Sequence, residues 1–193
     1  MILPIVAYGH PVLRTAATEI DATYPGLPKL IEDMWETMYA SNGVGLAAPQ
    51  VNRPIRLFVM DSAQIFANKD DDDESKYPDA PGIKQLFLNP KIVELHGNDW
   101  MYNEGCLSLP KIREDIYRAE EVTLEYQDEQ FETTTRRFNG VTARIILHEY
   151  DHIEGKLFID YLSLLKRKLL RRKLDEISKG LIKVDYRMLF PKK

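Results

Sequence analysis

The sequence is nearly without cysteine. Cys106 is the only one in 193 residues, so no intramolecular disulfide can form and nothing is stapled for an oxidising compartment. A basic excess is also missing: 26 Lys and Arg stand against 30 Asp and Glu, a formal net charge of -4. That argues against a fold organised around nucleic-acid phosphate, and DNA is not an expected partner. No apolar run approaches the roughly 18 residues of a membrane span. The opening Met1-Ile2-Leu3-Pro4-Ile5-Val6-Ala7 lacks a basic flank and is broken by Pro4 and Gly9. We therefore expect no export signal, no transit peptide, no membrane partner and a cytoplasmic setting.

What remains is an ordinary globular balance, 44% apolar and 29% charged. At about 150 residues per domain this predicts one catalytic-sized domain over residues 1–193. The acidity is local. Residues 70–79 hold Asp70, Asp71, Asp72, Asp73, Glu74 and Asp79 against Lys76, a net of -5 that leaves +1 elsewhere. With Pro78, Pro81 and Gly82 nearby, residues 61–84 read as a solvated acidic surface loop.

Hydrophobic periodicity predicts an amphipathic helix from Leu27 to Met38, stopped at Asn42-Gly43. Residues 43–50, rich in glycine and alanine, read as a shaped loop. Strands are predicted at Ile55–Met60, Leu86–Leu95, Val122–Tyr126 and Phe131–Phe138. Asn139 is placed as the N-cap of a helix whose stripe is Val141, Ile145, His148 and His152, ended by Gly155. A basic C-terminal helix spans 160–179, with Leu162, Leu165, Leu169 and Ile177 on its buried side. The tail, 180–193, is ambiguous at Val184 to Phe190. The class is α+β.

His148-Glu149-Tyr150-Asp151-His152 is a His-Glu-x-x-His pattern, which on a helix presents two imidazoles to one metal ion and sets a carboxylate beside its water. Such an ion lowers the pKa of its water to about 7, and Glu149 can accept that proton and pass it on. The pattern needs a third ligand. Phe158 stands where metzincin proteases place a third histidine, which excludes that group. Glu176, the candidate for a thermolysin-like site, follows a basic helix with little to bury it. Cys106, in Glu104-Gly105-Cys106-Leu107-Ser108, offers a thiolate, with a buried structural cysteine as the alternative. Gln50 offers an amide donor suited to an oxyanion, with a surface glutamine as the alternative.

Gly43-Val44-Gly45-Leu46-Ala47-Ala48-Pro49-Gln50, Glu104-Gly105-Cys106-Leu107-Ser108 and His148-Glu149-Tyr150-Asp151-His152 together resemble the three signature motifs of the peptide deformylases. The resemblance runs from the N-terminus to about Leu165, through Gly155-Lys156-Leu157-Phe158-Ile159-Asp160-Tyr161-Leu162. It implies a compact α+β fold with antiparallel sheets around a central His-Glu-x-x-His helix and a C-terminal helix. It implies a hydrolase that removes the formyl group from formylmethionyl nascent peptides and releases formate.

By the same resemblance Cys106, His148 and His152 bind one divalent metal ion, Fe2+ in the cell, for which Zn2+, Ni2+ or Co2+ can substitute. Glu149 is the general acid/base, and Gln50 with the backbone N–H of Leu107 steadies the oxyanion. Val44 and Gly45 hold the peptide, and Ile145 and Leu109 wall a methionine pocket. From their motif positions, Arg113 is expected to flank the groove and Glu104 and Arg118 to form a buried bracing pair, with ordinary surface charge as the alternative. Lys166, Arg167, Lys168, Arg171, Arg172 and Lys173 form either a solvated face or a ribosomal RNA contact. Two further readings stand beside this one: a metalloendopeptidase, and a non-catalytic metal-bearing module that binds nascent chains.

Overall fold

A computed structural model describes residues 1–67, 79 and 81–191. The elements in chain order are β1 (Ile5–Val6), α1 (Leu27–Ala40), β2 (Gly45–Ala47), β3 (Leu57–Asp61), α2 (Ala63–Phe66), β4 (Lys84–Cys106), β5 (Leu109–Gln127), β6 (Thr133–Asn139), α3 (Gly140–Ile153), α4 (Leu164–Ser178) and β7 (Met188–Leu189). Strands β2-β3-β4-β5-β6 form one antiparallel sheet in that order, and β1 pairs with β7 in parallel. The class is α+β, with α3 at the centre.

The first predicted helix is present. Leu27, Ile31, Met34 and Met38 recur at helical spacing and are buried, and the Gly43 N–H closes the C-terminus onto the Met38 carbonyl at 2.9 Å. The strand reading, in contrast, is too short. Leu86–Leu95 and Val122–Tyr126 are only the apolar parts of a hairpin made by β4 and β5, which runs to a two-residue turn at Leu107-Ser108. Its outer half carries Asp99, Asn103, Glu114 and Asp115, and register shifts interrupt the alternation. A strand solvated in this way has little apolar period to read.

α3 differs from a surface helix: nearly every residue from Val141 to Ile153 is buried, because the sheet wraps it. Asn139 occupies the N-cap position, but its side chain caps nothing. The Thr142 N–H donates instead to Asp79 Oδ2 at 2.7 Å, so the cap comes from a residue far back in the chain. Gly155, at φ +68°, ends the helix as expected, and a Cβ there would meet the Arg14 carbonyl carbon at 2.8 Å.

α4 begins later than predicted, after a short turn at Phe158–Tyr161, and is capped by Ser163, whose Oγ accepts from the Lys166 N–H at 3.3 Å. Its buried stripe is Leu170, Leu174 and Ile177, whereas Leu165 and Leu169 are 69% and 74% exposed. Leu162 and Ile177 are buried as expected, but Leu162 precedes the helix, so Leu165 and Leu169, phased on it, fall on the wrong face. Residues 61–84 are not one loop: Asp61 ends β3, α2 follows, and Lys84 starts β4. The run Asp70–Glu74 lies outside the described residues.

Candidate active site

α3 sets His148 and His152 one turn apart on the face that meets the hairpin tip, with ring centroids 5.1 Å apart. Cys106 is the last residue of β4. One donor atom from each of Cys106, His148 and His152 lies within 4.8 Å of the other two. His152 Nε2 is 3.2 Å from Cys106 Sγ. His148 Nδ1 is 2.9 Å from Glu104 Oε2, which leaves Nε2 to face the thiol. A soft sulfur and two imidazoles converging in this way fit a divalent transition metal. Phe158 stacks on His148 at 5.9 Å, so it packs a ligand rather than replacing one.

The expected Glu104–Arg118 pair is part of a larger buried cluster. Arg118 reaches Glu104 at 2.7 and 3.0 Å and Asp151 at 2.5 Å. Arg144 reaches the same Glu104 carboxylate at 3.1 Å. Burial acts against the charge on Glu104, yet the hydrogen bonds from His148 and Arg118 outweigh it and hold the carboxyl well below its usual range. The carboxylate therefore fixes the His148 ring as a bonded anion.

Gln50 sits on a buried 3-10 turn. Its Oε1 accepts the Ala47 N–H at 2.8 Å, which turns Nε2 toward Ser108 Oγ at 3.3 Å and Cys106 Sγ at 3.5 Å. Glu149 projects beside β2. Burial pushes its carboxyl up to about 7, and its Oε2 is buried with no hydrogen-bond partner among the described residues. A carboxyl poised near neutrality with an open oxygen can hold or release a proton at ordinary pH.

These groups floor a groove of about 810 Å³. Val44, Gly45, Leu107, Arg113 and Ile145 line it. Leu109 does not: it is fully buried, in the core cluster of Val12, Leu13 and Ile159. Leu109 turns inward at the start of β5, while Pro110, Lys111, Ile112 and Arg113 after it line the groove. The sequence reading also missed Tyr102, Arg144 and the segment Lys183 to Tyr186, all of which line it. Arg144 is 2% exposed; its place one residue before Ile145 on a wrapped helix is the only signal that could have found it.

A helix carrying His-Glu-x-x-His, facing a cysteine at a hairpin tip with the Gln50 amide beside it, defines a metal-dependent hydrolase. The polypeptide deformylase family model matches residues 2–168. A peptide deformylase from Christiangramia forsetii is 51% identical over 191 residues, covering 99% of this chain and 97% of that one. One from Flavobacterium johnsoniae is 51% identical over 190 residues, covering 98% and 96%. The crystal structure of a peptide deformylase from Legionella pneumophila superposes with a TM-score of 0.78 at 36% identity, over 94% of this chain and 98% of that one. The chain belongs to the polypeptide deformylase family. It is thus a hydrolase that removes the N-formyl group from nascent peptides, and the endopeptidase and non-catalytic readings fall away.

Proposed function

We propose that Cys106, His148 and His152 hold one divalent metal ion, Fe2+ in the cell, and that Glu149, Gln50 and the Leu107 N–H carry out the deformylation around it. The convergence of the three donor atoms within 4.8 Å supports this most directly. When bound, the ion supplies a Lewis acid and a water acidified to a pKa of about 7. Glu149 takes the proton at its open Oε2 and delivers it to the departing amine. Gln50 Nε2 and the Leu107 N–H donate to the formyl oxygen as negative charge develops there.

The substrate backbone runs along Val44 and Gly45. Strand β2 is the edge of the five-stranded sheet, so its outer side can add a peptide as a further strand. Ile145 and Ile112 supply apolar wall for the methionine side chain, worth about 1.5 to 3 kcal/mol on full burial. We also propose that residues 1–193 form one catalytic domain, a reading supported by the pairing of β1 with β7. A further part of this reading is that the exposed cations of α4, Arg167, Lys168, Arg171 and Lys173 among them, contact ribosomal RNA. No described helix is long and apolar enough to cross a membrane, which is compatible with a cytoplasmic site of action.

The test is formate release from formyl-Met-Ala-Ser by protein prepared without oxygen and loaded in turn with Fe2+, Zn2+, Ni2+ or Co2+. Turnover that is highest with Fe2+ and lost in Glu149→Gln supports the reading. Equal turnover in Glu149→Gln would remove the proposed proton carrier, and higher turnover with Zn2+ would remove the iron assignment.

A further inference from the structure

The hairpin turn that carries the Leu107 N–H is held from both ends of the chain. The Tyr186 hydroxyl donates to the Leu107 carbonyl oxygen at 2.8 Å. The Tyr8 N–H donates to the next carbonyl, that of Ser108, at 2.9 Å. Tyr186 itself is set by the strand pair behind it: the Ile5 N–H donates to the Arg187 carbonyl and the Ala7 N–H to the Leu189 carbonyl, both at 2.8 Å. Along this segment Leu181, Lys183, Asp185 and Arg187 are exposed and Ile182, Val184 and Tyr186 half-buried. That period of two is the signature of an extended edge lying on the surface of the fold.

Lys183, Val184, Asp185 and Tyr186 line the catalytic groove, together with Lys111 and Arg113 from the hairpin. Arg113 donates to Asn103 through its side-chain oxygen at 2.8 Å and its carbonyl at 2.6 Å, partners that leave its charge uncompensated. Among the described residues, the exposed charged side chains at the groove rim are three cations, Lys111, Arg113 and Lys183, and one anion, Asp185. This segment lies beyond the family-matched residues.

We propose that Lys183–Tyr186 is a substrate-selecting wall of the groove, with Tyr186 positioning the Leu107 backbone and Lys183, beside Lys111 and Arg113, favouring peptides with an acidic side chain downstream of the formylmethionine. The proposal rests on the deformylase reading of this groove. Tyr186 touches no reacting atom. It acts through the peptide unit that follows the Leu107 N–H, and its hydroxyl limits how far that turn can rotate. The wall works by charge at an exposed rim, so its selectivity is modest and sensitive to salt.

Initial rates of formate release from formyl-Met-Ala-Asp and formyl-Met-Ala-Lys test this at low ionic strength. The wild-type enzyme is expected to prefer the acidic peptide in kcat/KM by about threefold, the scale of an exposed charge contact. Lys183→Glu should abolish or invert the ratio, and Asp185→Lys should enlarge it. Tyr186→Phe should lower kcat for both peptides by about tenfold, less than deleting an oxyanion donor outright, with the ratio unchanged. A ratio unmoved by both charge variants, with wild-type release intact, overturns the selecting wall. An unaltered kcat in Tyr186→Phe overturns the positioning role. A wild-type enzyme that releases formate from neither peptide overturns the underlying reading and this proposal with it.

Discussion

Glu149 occupies the space that any side chain at Gly45 would need. A Cβ built on Gly45 lies 2.8 Å from the Glu149 carboxyl carbon and 2.9 Å from its Cγ. The glycine is there for this close approach rather than for an unusual backbone angle, since Gly45 is an ordinary strand residue paired with Met60. Gly45→Ala is expected to displace the carboxylate and cut kcat by about 10²-fold or more, the scale of losing a general acid/base. Metal content, measured by elemental analysis, should stay near that of the wild type. An alanine enzyme with normal turnover would show that the two groups do not compete for space.

Removing Arg118 should cost more than removing a surface charge. It leaves Glu104 and Asp151 buried without their main cation, a loss on the order of 3 to 5 kcal/mol. The same change frees the carboxylate that fixes the His148 ring, for which a 10- to 100-fold loss of metal affinity is the usual scale, so roughly that loss is expected here. Urea melts and competition with a chelator measure the two effects separately. Arg118→Met should recover less than Arg118→Lys, because packing alone cannot neutralise the acids.

Asp79 caps α3 from outside the helix. Asp79→Ala should therefore destabilise the fold by about 0.5 to 2 kcal/mol, as for other lost N-caps. The first two turns of α3 carry Val141, Arg144 and Ile145, which line the groove, while His148 and Glu149 lie further along. KM for a formyl peptide is expected to rise several-fold with a smaller change in kcat. Asp79→Asn, which retains an acceptor oxygen, should restore most of both.

The Arg14–Asp160 bridge, at 2.5 Å, gives a pH-dependent contribution to stability. Burial works against the Asp160 charge, but the Arg14 hydrogen bond and the Leu157 N–H lower its pKa below the ordinary 3.8. A depressed carboxyl contributes stability that is present above the unfolded-state value and lost as pH falls through the folded one. The difference in urea midpoint between wild type and Asp160→Asn should thus be full at neutral pH. It should shrink only below about pH 4, where the unfolded carboxyl begins to protonate first. A difference that stays constant down to pH 2 would mean that the charge plays no part.

The site was legible to the extent that its chemistry is local in sequence. His148, Glu149 and His152 share one turn of helix, and Cys106 and Gln50 stand in short segments of unusual composition. What was not legible depends on distance. The cap on α3 comes from Asp79 rather than from Asn139 next door, and the acid partners of Arg118 lie on two other elements, β4 and α3. The outer half of the β4–β5 hairpin buries charged Glu104 and Arg118 together with Ile112 and Ile116 and exposes Met101 and Tyr117, so its strands carry no clean apolar alternation. Leu109 was expected to wall the methionine pocket, yet the two-residue turn after Cys106 reverses the chain and Leu109 lies in the core. Leu165 and Leu169 of α4 were misplaced, though Ile177 was not, since Leu162 belongs to the turn before the helix.

The parallel pairing of β1 with β7 joins Ile5 to Met188, so all the other elements lie inside the loop that this contact closes. Closing so long a loop costs entropy before any neighbouring contact repays it, which makes the pairing a late event in folding. Until it forms, β1 lacks its partner and the side of the groove lined by Lys183 to Tyr186 has no strand pair behind it. The groove is therefore finished last, by a contact that lies outside the metal-ligating helix and the hairpin.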